Sequence, residues 1–317
     1  MRREGRIEEA FQLLRAATGR NDGEAAFLLA HWRVEGDAIR RDLQEACDLF
    51  GVAAKLGYAE ASAPHIALLA NGAGRTHRQW QESLSRLKSL ATKDKGAADQ
   101  LRLLQSMAID NEGDPSMPFN PDFICQDPLV VQFPKFLTSA ECDALTAMAS
   151  GRFAPSVVIN PATGAMAANP IRTSHSAAFP LIAETPFLHA INRRIAAASR
   201  SRYEQAEPTQ ILSYTPGQEY KLHSDALAAE VNQRIQTFLI CLMDSFTGGE
   251  TYFPSAELKI KLAKGDAICF SNVTADMRPA RSAMHAGLPV TSGRKVILSK
   301  WIRRYPLDLA GPSGNSC

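Results

Sequence analysis

What this chain of 317 residues lacks narrows the field first. No apolar run approaches the roughly 20 residues that a membrane-spanning helix needs. The opening "MRREGRIEEAFQLL" is charged and helix-patterned where a secretory leader would carry an apolar core. Neither sign of charge prevails: 35 Lys and Arg stand against 33 Asp and Glu, a net charge of +2, which gives no general electrostatic footprint for nucleic acid or a membrane surface. The six cysteines form no C-x-x-C pair, and Cys241 and Cys269 sit inside the apolar runs "FLICLM" and "DAICF". They read as reduced, buried thiols rather than a disulfide or zinc framework. A soluble, cytoplasmic protein is expected, with no nucleic-acid or membrane partner.

What is present, 45% hydrophobic residues, is enough for a full core, and the length suits about two domains. Residues 1–110 are rich in Ala and Leu, lack strand patterning and nearly repeat themselves, as in "GEAAFLLA", "GYAEASAPHIALLA" and "GAADQLRLLQ". Their period of 34 to 39 residues predicts stacked helical hairpins, with Ala25, Ala26, Ala59 and Ala97 allowing close approach and Leu28, Leu29, Leu68, Leu69 and Leu103 filling the seam. This part resembles the Sel-type repeats, relatives of the tetratricopeptide repeat. Residues 111–122, with several Pro and a Gly, read as a linker, and a second domain is expected over 123–317.

That domain opens with the strand "VVQFPKF" and a helix over "LTSAECDALTAMAS", where Thr138 and Glu141 stand at capping-box positions. From residue 208 short strands alternate with Gly and Pro turns. Leu258, Ile260 and Leu262 alternate with charged residues before "AKGDA", and Ile268 and Phe270 resume the alternation, which predicts a hairpin with one buried face. The fold class expected is α+β: a helical array followed by a β-sandwich or barrel, with helices such as "TPFLHAINRRIAAASR" on its outside.

The chemistry gathers around "QEYKLHSDAL". On an extended strand His223 and Asp225 point the same way. With the distant His285 they have the form of a two-histidine, one-carboxylate facial triad, which leaves positions open on a bound iron ion. Ten residues after His285, Lys295 opens the strand "KVILSKWI" and shares a face with Ile297, Ser299 and Trp301. A lysine buried there calls for an anion, such as the distal carboxylate of 2-oxoglutarate.

In order, "SYTPGQEYKLHSD", "TFLICLMDSFTGGETYFP", "KGDAICF", "HAGLPVTSGRK" and "SKWIRR" resemble the catalytic domain of prolyl 4-hydroxylases, iron(II)- and 2-oxoglutarate-dependent dioxygenases built on a double-stranded β-helix (jelly roll). The resemblance spans about residues 120–305. It implies that His223, Asp225 and His285 ligate iron, that Lys295 pairs with the 2-oxoglutarate carboxylate, and that Tyr214 and Thr251 help hold it. It places Arg172, Tyr220, Arg234 and Trp301 at substrate. The segment "NPATGAMAANP" (160–170) beside Arg172 reads as flexible and is a candidate lid over substrate. The resemblance further implies O2 as co-substrate, ascorbate as reductant, a peptide or protein substrate, and hydroxylation of a prolyl residue by hydrogen abstraction and hydroxyl rebound with release of succinate and CO2. The helical array, which the oxygen chemistry does not need, is expected either to dock that substrate or only to brace the second domain. The short "ALAAEV" after Asp225, and Ser224 in place of an aromatic, depart from the family pattern and bear on which substrate is used. Another peptide residue, a free amino acid or a natural product stays open as substrate. So does a different class of function, a helical-repeat adaptor whose oxygenase domain is inactive; the intact set of His223, Asp225, His285 and Lys295 speaks against it. A cupin-like metal hydrolase has no use for Lys295.

Overall fold

The computed structural model describes residues 6–159, 166–168, 171–227 and 230–308. The chain forms two compact units. One runs to Met117 and takes in Phe179–Arg194 and Asp308; the other comprises Pro118–Ala178 and Ile195–Leu307. Among the described residues no helix is long and apolar enough to cross a membrane.

The first unit holds α1 (Ile7–Gly19), α2 (Gly23–Glu35), α3 (Leu43–Lys55), α4 (Ser62–Asn71), α5 (Trp80–Ala91) and α6 (Lys95–Ser106), each packed on the next. Asp22, Asp42 and Asp94 cap α2, α3 and α6 by accepting from backbone N–H groups three residues on. The small residues Ala26, Ala30, Ala46 and Ala53 are fully buried, so the helices close around Phe50, Leu68 and Leu69. The expected seam shifts in detail. Leu28 is 43% exposed, Ala59 sits exposed in a short 3-10 turn, and it is Leu104 rather than Leu103 that is buried. The predicted linker begins inside this unit: Gly113, at φ +80°, lies flat on Trp80, and Asp114 receives hydrogen bonds from Arg78 and Arg193.

In the second unit α7 (Ser139–Ser150) carries the predicted capping box, with Thr138 Oγ1 accepting from Glu141 N and Glu141 Oε2 accepting from Thr138 N. An eight-stranded sheet runs in the order Asp122–Gln126, Leu129–Phe133, Ala267–Ser271, Arg234–Met243, Lys295–Arg303, Thr209–Tyr214, His175–Phe179, Ala154–Pro155. A four-stranded sheet runs in the order Leu258–Ile260, Thr251–Phe253, His285–Gly287, Tyr220–His223. Two short pairs, Phe246–Gly248 with Val290–Gly293 and Val157–Ile159 with Met166–Ala168, complete the β structure. The inner faces meet over Leu212, Leu239, Ile268, Phe270 and Ile297 from the large sheet and Phe253 and Ile260 from the small one, the two-layer arrangement of a double-stranded β-helix.

Two expectations need correction. Leu258–Ile260 and Ala267–Ser271 do not form a hairpin, because they belong to different sheets. The intervening turn carries the chain from one layer to the other, with Gly265 at φ +91° so close to the Leu137 carbonyl that a Cβ would lie 2.3 Å from it. The alternation was real, since Ile260 and Ile268 do face one core, but period 2 says nothing about which strand is the neighbour. The helix α8 (Pro186–Ala198), expected on the outside of the β domain, falls for most of its length in the helical unit, where His189 packs on Trp80.

Candidate metal and co-substrate site

One cavity in the β unit is lined by His223, Asp225, His285, Tyr214, Tyr220, Thr251, Lys295 and Trp301, together with Leu212, Leu239, Gly287, Ile297 and Ser299. His223 ends its strand and His285 opens the neighbouring one, in register directly opposite, so the two imidazoles meet at 4.3 Å between ring centroids. Asp225 lies in the bend just past the strand. Its Oδ1 is 3.6 Å from His223 Nε2 and its Oδ2 is 3.7 Å from His285 Nε2. One ligand atom from each of the three buried side chains lies within 4.8 Å of the others.

The imidazoles are oriented from behind. His223 Nδ1 donates to the Lys221 carbonyl at 2.7 Å and His285 Nδ1 to the Ala283 carbonyl at 3.0 Å. That fixes the tautomer whose Nε2 lone pair faces the carboxylate. Among the described residues buried His223 Nε2 has no hydrogen-bond partner, an arrangement that costs stability unless a cation takes the lone pair. Burial pushes His285 down to about 4, against the pull of Asp225, so it is a neutral donor. Burial alone would raise the Asp225 carboxyl. Its contacts with His223 and His285 and the Thr237 hydroxyl outweigh that and hold it well below the usual carboxylate range. Two imidazoles whose Nε2 atoms face one ionised carboxylate form the donor set of a divalent iron site, and the residues fit the ion.

Lys295 sits on the same cavity wall. The strand Lys295–Arg303 pairs with Thr209–Tyr214 so that Lys295 is opposite Tyr214. Its ammonium lies 5.5 Å from the Tyr214 ring centroid and donates to the Gly249 carbonyl at 2.6 Å. Burial lowers Lys295 to about 8, against a smaller upward pull from nearby Cys241 and Glu250. The Tyr214 hydroxyl, pushed up to about 12 by burial, bonds Ser174. Thr251 is 8% exposed on the small sheet. As predicted, Lys295, Ile297, Ser299 and Trp301 all face the cavity from one side of their strand.

The four residues singled out for substrate divide. Tyr220 stacks on His223 at 3.4 Å, with the Arg172 guanidinium 5.4 Å from its ring centroid. Trp301 lines the cavity, and its buried Nε1 has no hydrogen-bond partner among the described residues. Arg234 is not on the cavity wall. It lies 4.3 Å from the Trp301 ring centroid and holds Glu207 through both guanidinium arms, so it braces the indole. Of the candidate lid, residues 160–165, 169 and 170 lie outside the described residues. Residue-by-residue reading missed Gly249, Thr237 and Asn272. The last two had a faint signal, being polar positions on strand faces that otherwise alternate apolar: Thr237, Leu239, Cys241 and Ile268, Phe270, Asn272.

The model of the 2OG-Fe(II) oxygenase superfamily matches residues 209–303. Prolyl 4-hydroxylase 1 of Arabidopsis thaliana is 33% identical over 203 residues, covering 58% of this chain and 72% of that protein. Probable prolyl 4-hydroxylase 4 of the same plant is 30% identical over 219 residues, covering 61% and 73%. The solved viral collagen prolyl hydroxylase of Paramecium Bursaria Chlorella virus-1, in its 2OG complex, is 28% identical and aligns with 57% of this chain and 99% of its own, at a TM-score of 0.46.

Proposed function

Since the chain belongs to the prolyl 4-hydroxylase-like group of iron(II)- and 2-oxoglutarate-dependent oxygenases, we propose that it hydroxylates a prolyl residue of a peptide or protein. The observation that carries this is the convergence of His223, Asp225, His285 and Lys295 on one buried cavity. His223, Asp225 and His285 would hold the iron. When bound, it supplies the redox chemistry that couples decarboxylation of 2-oxoglutarate to succinate and CO2 with insertion of one oxygen atom from O2 into a substrate C–H bond.

The protein's own part is binding, orientation and exclusion of water. Lys295 pairs with the distal carboxylate of 2-oxoglutarate, and Tyr214 and Thr251 donate their hydroxyls to it. Leu212, Leu239 and Ile297 wall that end of the cavity with apolar surface, which strengthens the charge pair. The Tyr220 ring and the Trp301 indole, braced by Arg172 and Arg234, present flat faces and one N–H for a peptide segment with a small apolar ring. Ascorbate is the expected reductant, and the buried thiols Cys47, Cys142, Cys241 and Cys269 suit a reducing, cytoplasmic setting.

We further propose that the helical unit docks the macromolecular substrate. A groove between α3, α4 and α5 is lined by Lys55, His65, Arg86 and Lys93, which suits an acidic segment and would raise the local concentration of the target residue. The experiment is a peptide and lysate screen with the full chain, Fe(II), 2-oxoglutarate and ascorbate, read as a mass gain of one oxygen atom. The expected gain maps to proline. A gain confined to other residues would replace the substrate class, and absence of any 2-oxoglutarate turnover would favour the adaptor reading.

A further inference from the structure

Asp225 is tied down from behind as firmly as the imidazoles, through residues that no motif marks. Thr237 Oγ1 donates to Asp225 Oδ2 at 2.6 Å. A hydroxyl has one proton, and this short contact uses it, so the second bond to Thr237 must be received: Asn272 Nδ2 donates to Thr237 Oγ1 at 3.0 Å. Asp225 is 4% exposed, and Thr237 and Asn272 are each 1% exposed. Both partners are fixed by their own backbone. Thr237 pairs with Phe270 in the sheet, while Asn272 donates its N–H to Ile235 and accepts from Ala280.

The surroundings are apolar, with Leu239, Ile268 and Phe270 on the same inner faces. A hydroxyl and a carboxamide buried there add nothing that a valine and a leucine would not supply, unless the carboxylate needs them. We propose that Thr237, held by Asn272, is a positioning residue that keeps Asp225 a one-oxygen ligand of the metal. A carboxylate that must keep accepting the Thr237 proton through Oδ2 cannot swing both oxygens onto the ion, so the positions used by 2-oxoglutarate and O2 stay free. The inference rests on the reading of His223, Asp225 and His285 as the iron ligands.

The test is calorimetric titration of the full-length protein with Mn(II), then with 2-oxoglutarate, alongside thermal melts of the metal-free protein. Thr237→Val, which keeps shape and removes the proton, should weaken Mn(II) roughly 10- to 100-fold, the usual effect of losing a partner behind a metal ligand. Thr237→Ser should restore binding to near the parental value, and Asn272→Ala should fall between. A merely structural role predicts a lower melting temperature with unchanged Mn(II) affinity. A folded Thr237→Val protein with parental Mn(II) affinity would overturn the proposal, as would a Thr237→Ser protein as weak as Thr237→Val. If Thr237→Val does not fold, parental affinity in Asn272→Ala overturns it instead. Equal Mn(II) binding by parental and His223→Ala proteins would sink the ligand assignment itself, a result distinct from the others.

Discussion

Replacing Lys295 by Met should make the co-substrate-free protein more stable and at the same time nearly unable to bind 2-oxoglutarate. Lys295 is 7% exposed, and its ammonium donates to the neutral Gly249 carbonyl. Burial lowers it from the ordinary 10.5 to about 8. Keeping it charged at pH 7 therefore costs the folded state roughly 3 kcal/mol, which the isosteric Met would return. The sign follows from proton counts. Between about 8 and 10.5 the unfolded chain binds more protons at this site than the folded one, so the Lys295 contribution to stability rises with pH across that window and its penalty is complete below it. Binding runs the other way. Removing one partner of a buried charge pair costs about 3 to 5 kcal/mol, or roughly 10²- to 10⁴-fold in affinity. In the parental protein 2-oxoglutarate affinity should fall as pH rises past about 8, where the free protein loses its ammonium. Lys295→Arg should bind weakly but without that pH dependence, because a guanidinium stays charged. Urea unfolding of the metal-free proteins from pH 7 to 10 and calorimetric 2-oxoglutarate titrations of the Mn(II) forms give both quantities. A Lys295→Met protein that is destabilised, or that keeps parental affinity, would refute the reasoning.

Other consequences follow from the same geometry. His223→Ala and His285→Ala should each abolish Mn(II) binding in calorimetry and succinate formation in turnover, because two remaining ligands are too few for a site with open positions. Lys55→Glu combined with Lys93→Glu should lower kcat/KM for a protein substrate and leave that for a short peptide unchanged; equal effects on both would end the docking idea. These point variants serve better than truncation, since Phe179–Arg194 belongs with the N-terminal helices and would be stranded without them. Gly265→Ala should destabilise the fold by on the order of 2 kcal/mol or more in urea unfolding, because it forces a side chain both into the left-handed region and onto the Leu137 carbonyl.

In this double-stranded β-helix the candidate metal ligands gather where two strands of the small sheet meet, and Lys295 lines the same cavity from the large sheet. His223 and His285 come from the small sheet, Lys295 and Trp301 from the large sheet, and Asp225 from a bend between them. Small shifts between the layers would therefore alter the distance between the two histidines and Lys295. The packed aromatic contacts of Phe253, Phe270 and His285, and the glycines that bring the Phe246–Gly248 turn against Val290–Gly293, oppose such shifts.

Local patterns in the sequence determined much of this. The alternation that puts Lys295, Ile297, Ser299 and Trp301 on one face and the Thr138–Glu141 capping box each depend on residues a few positions apart, so their geometry is written in the chain. The His-x-Asp spacing marked the right pair, but the strand ends at His223 and Asp225 reaches it from a bend rather than along one strand face. The order of motifs was enough to indicate the chemistry and the class of fold. The tertiary structure alone decided the rest. Nothing in the sequence says that His285 pairs across a strand with His223, that the strands flanking Gly265 lie in different sheets, or that most of α8 belongs with the helical unit. These are pairings between distant segments, chosen by the total burial they achieve rather than by any local preference. Thr237 and Asn272 show the limit most plainly: Thr237 is an ordinary polar residue in its strand, Asn272 one just past the end of another, and only the closing of the sheet brings Asn272 to Thr237 and Thr237 to Asp225.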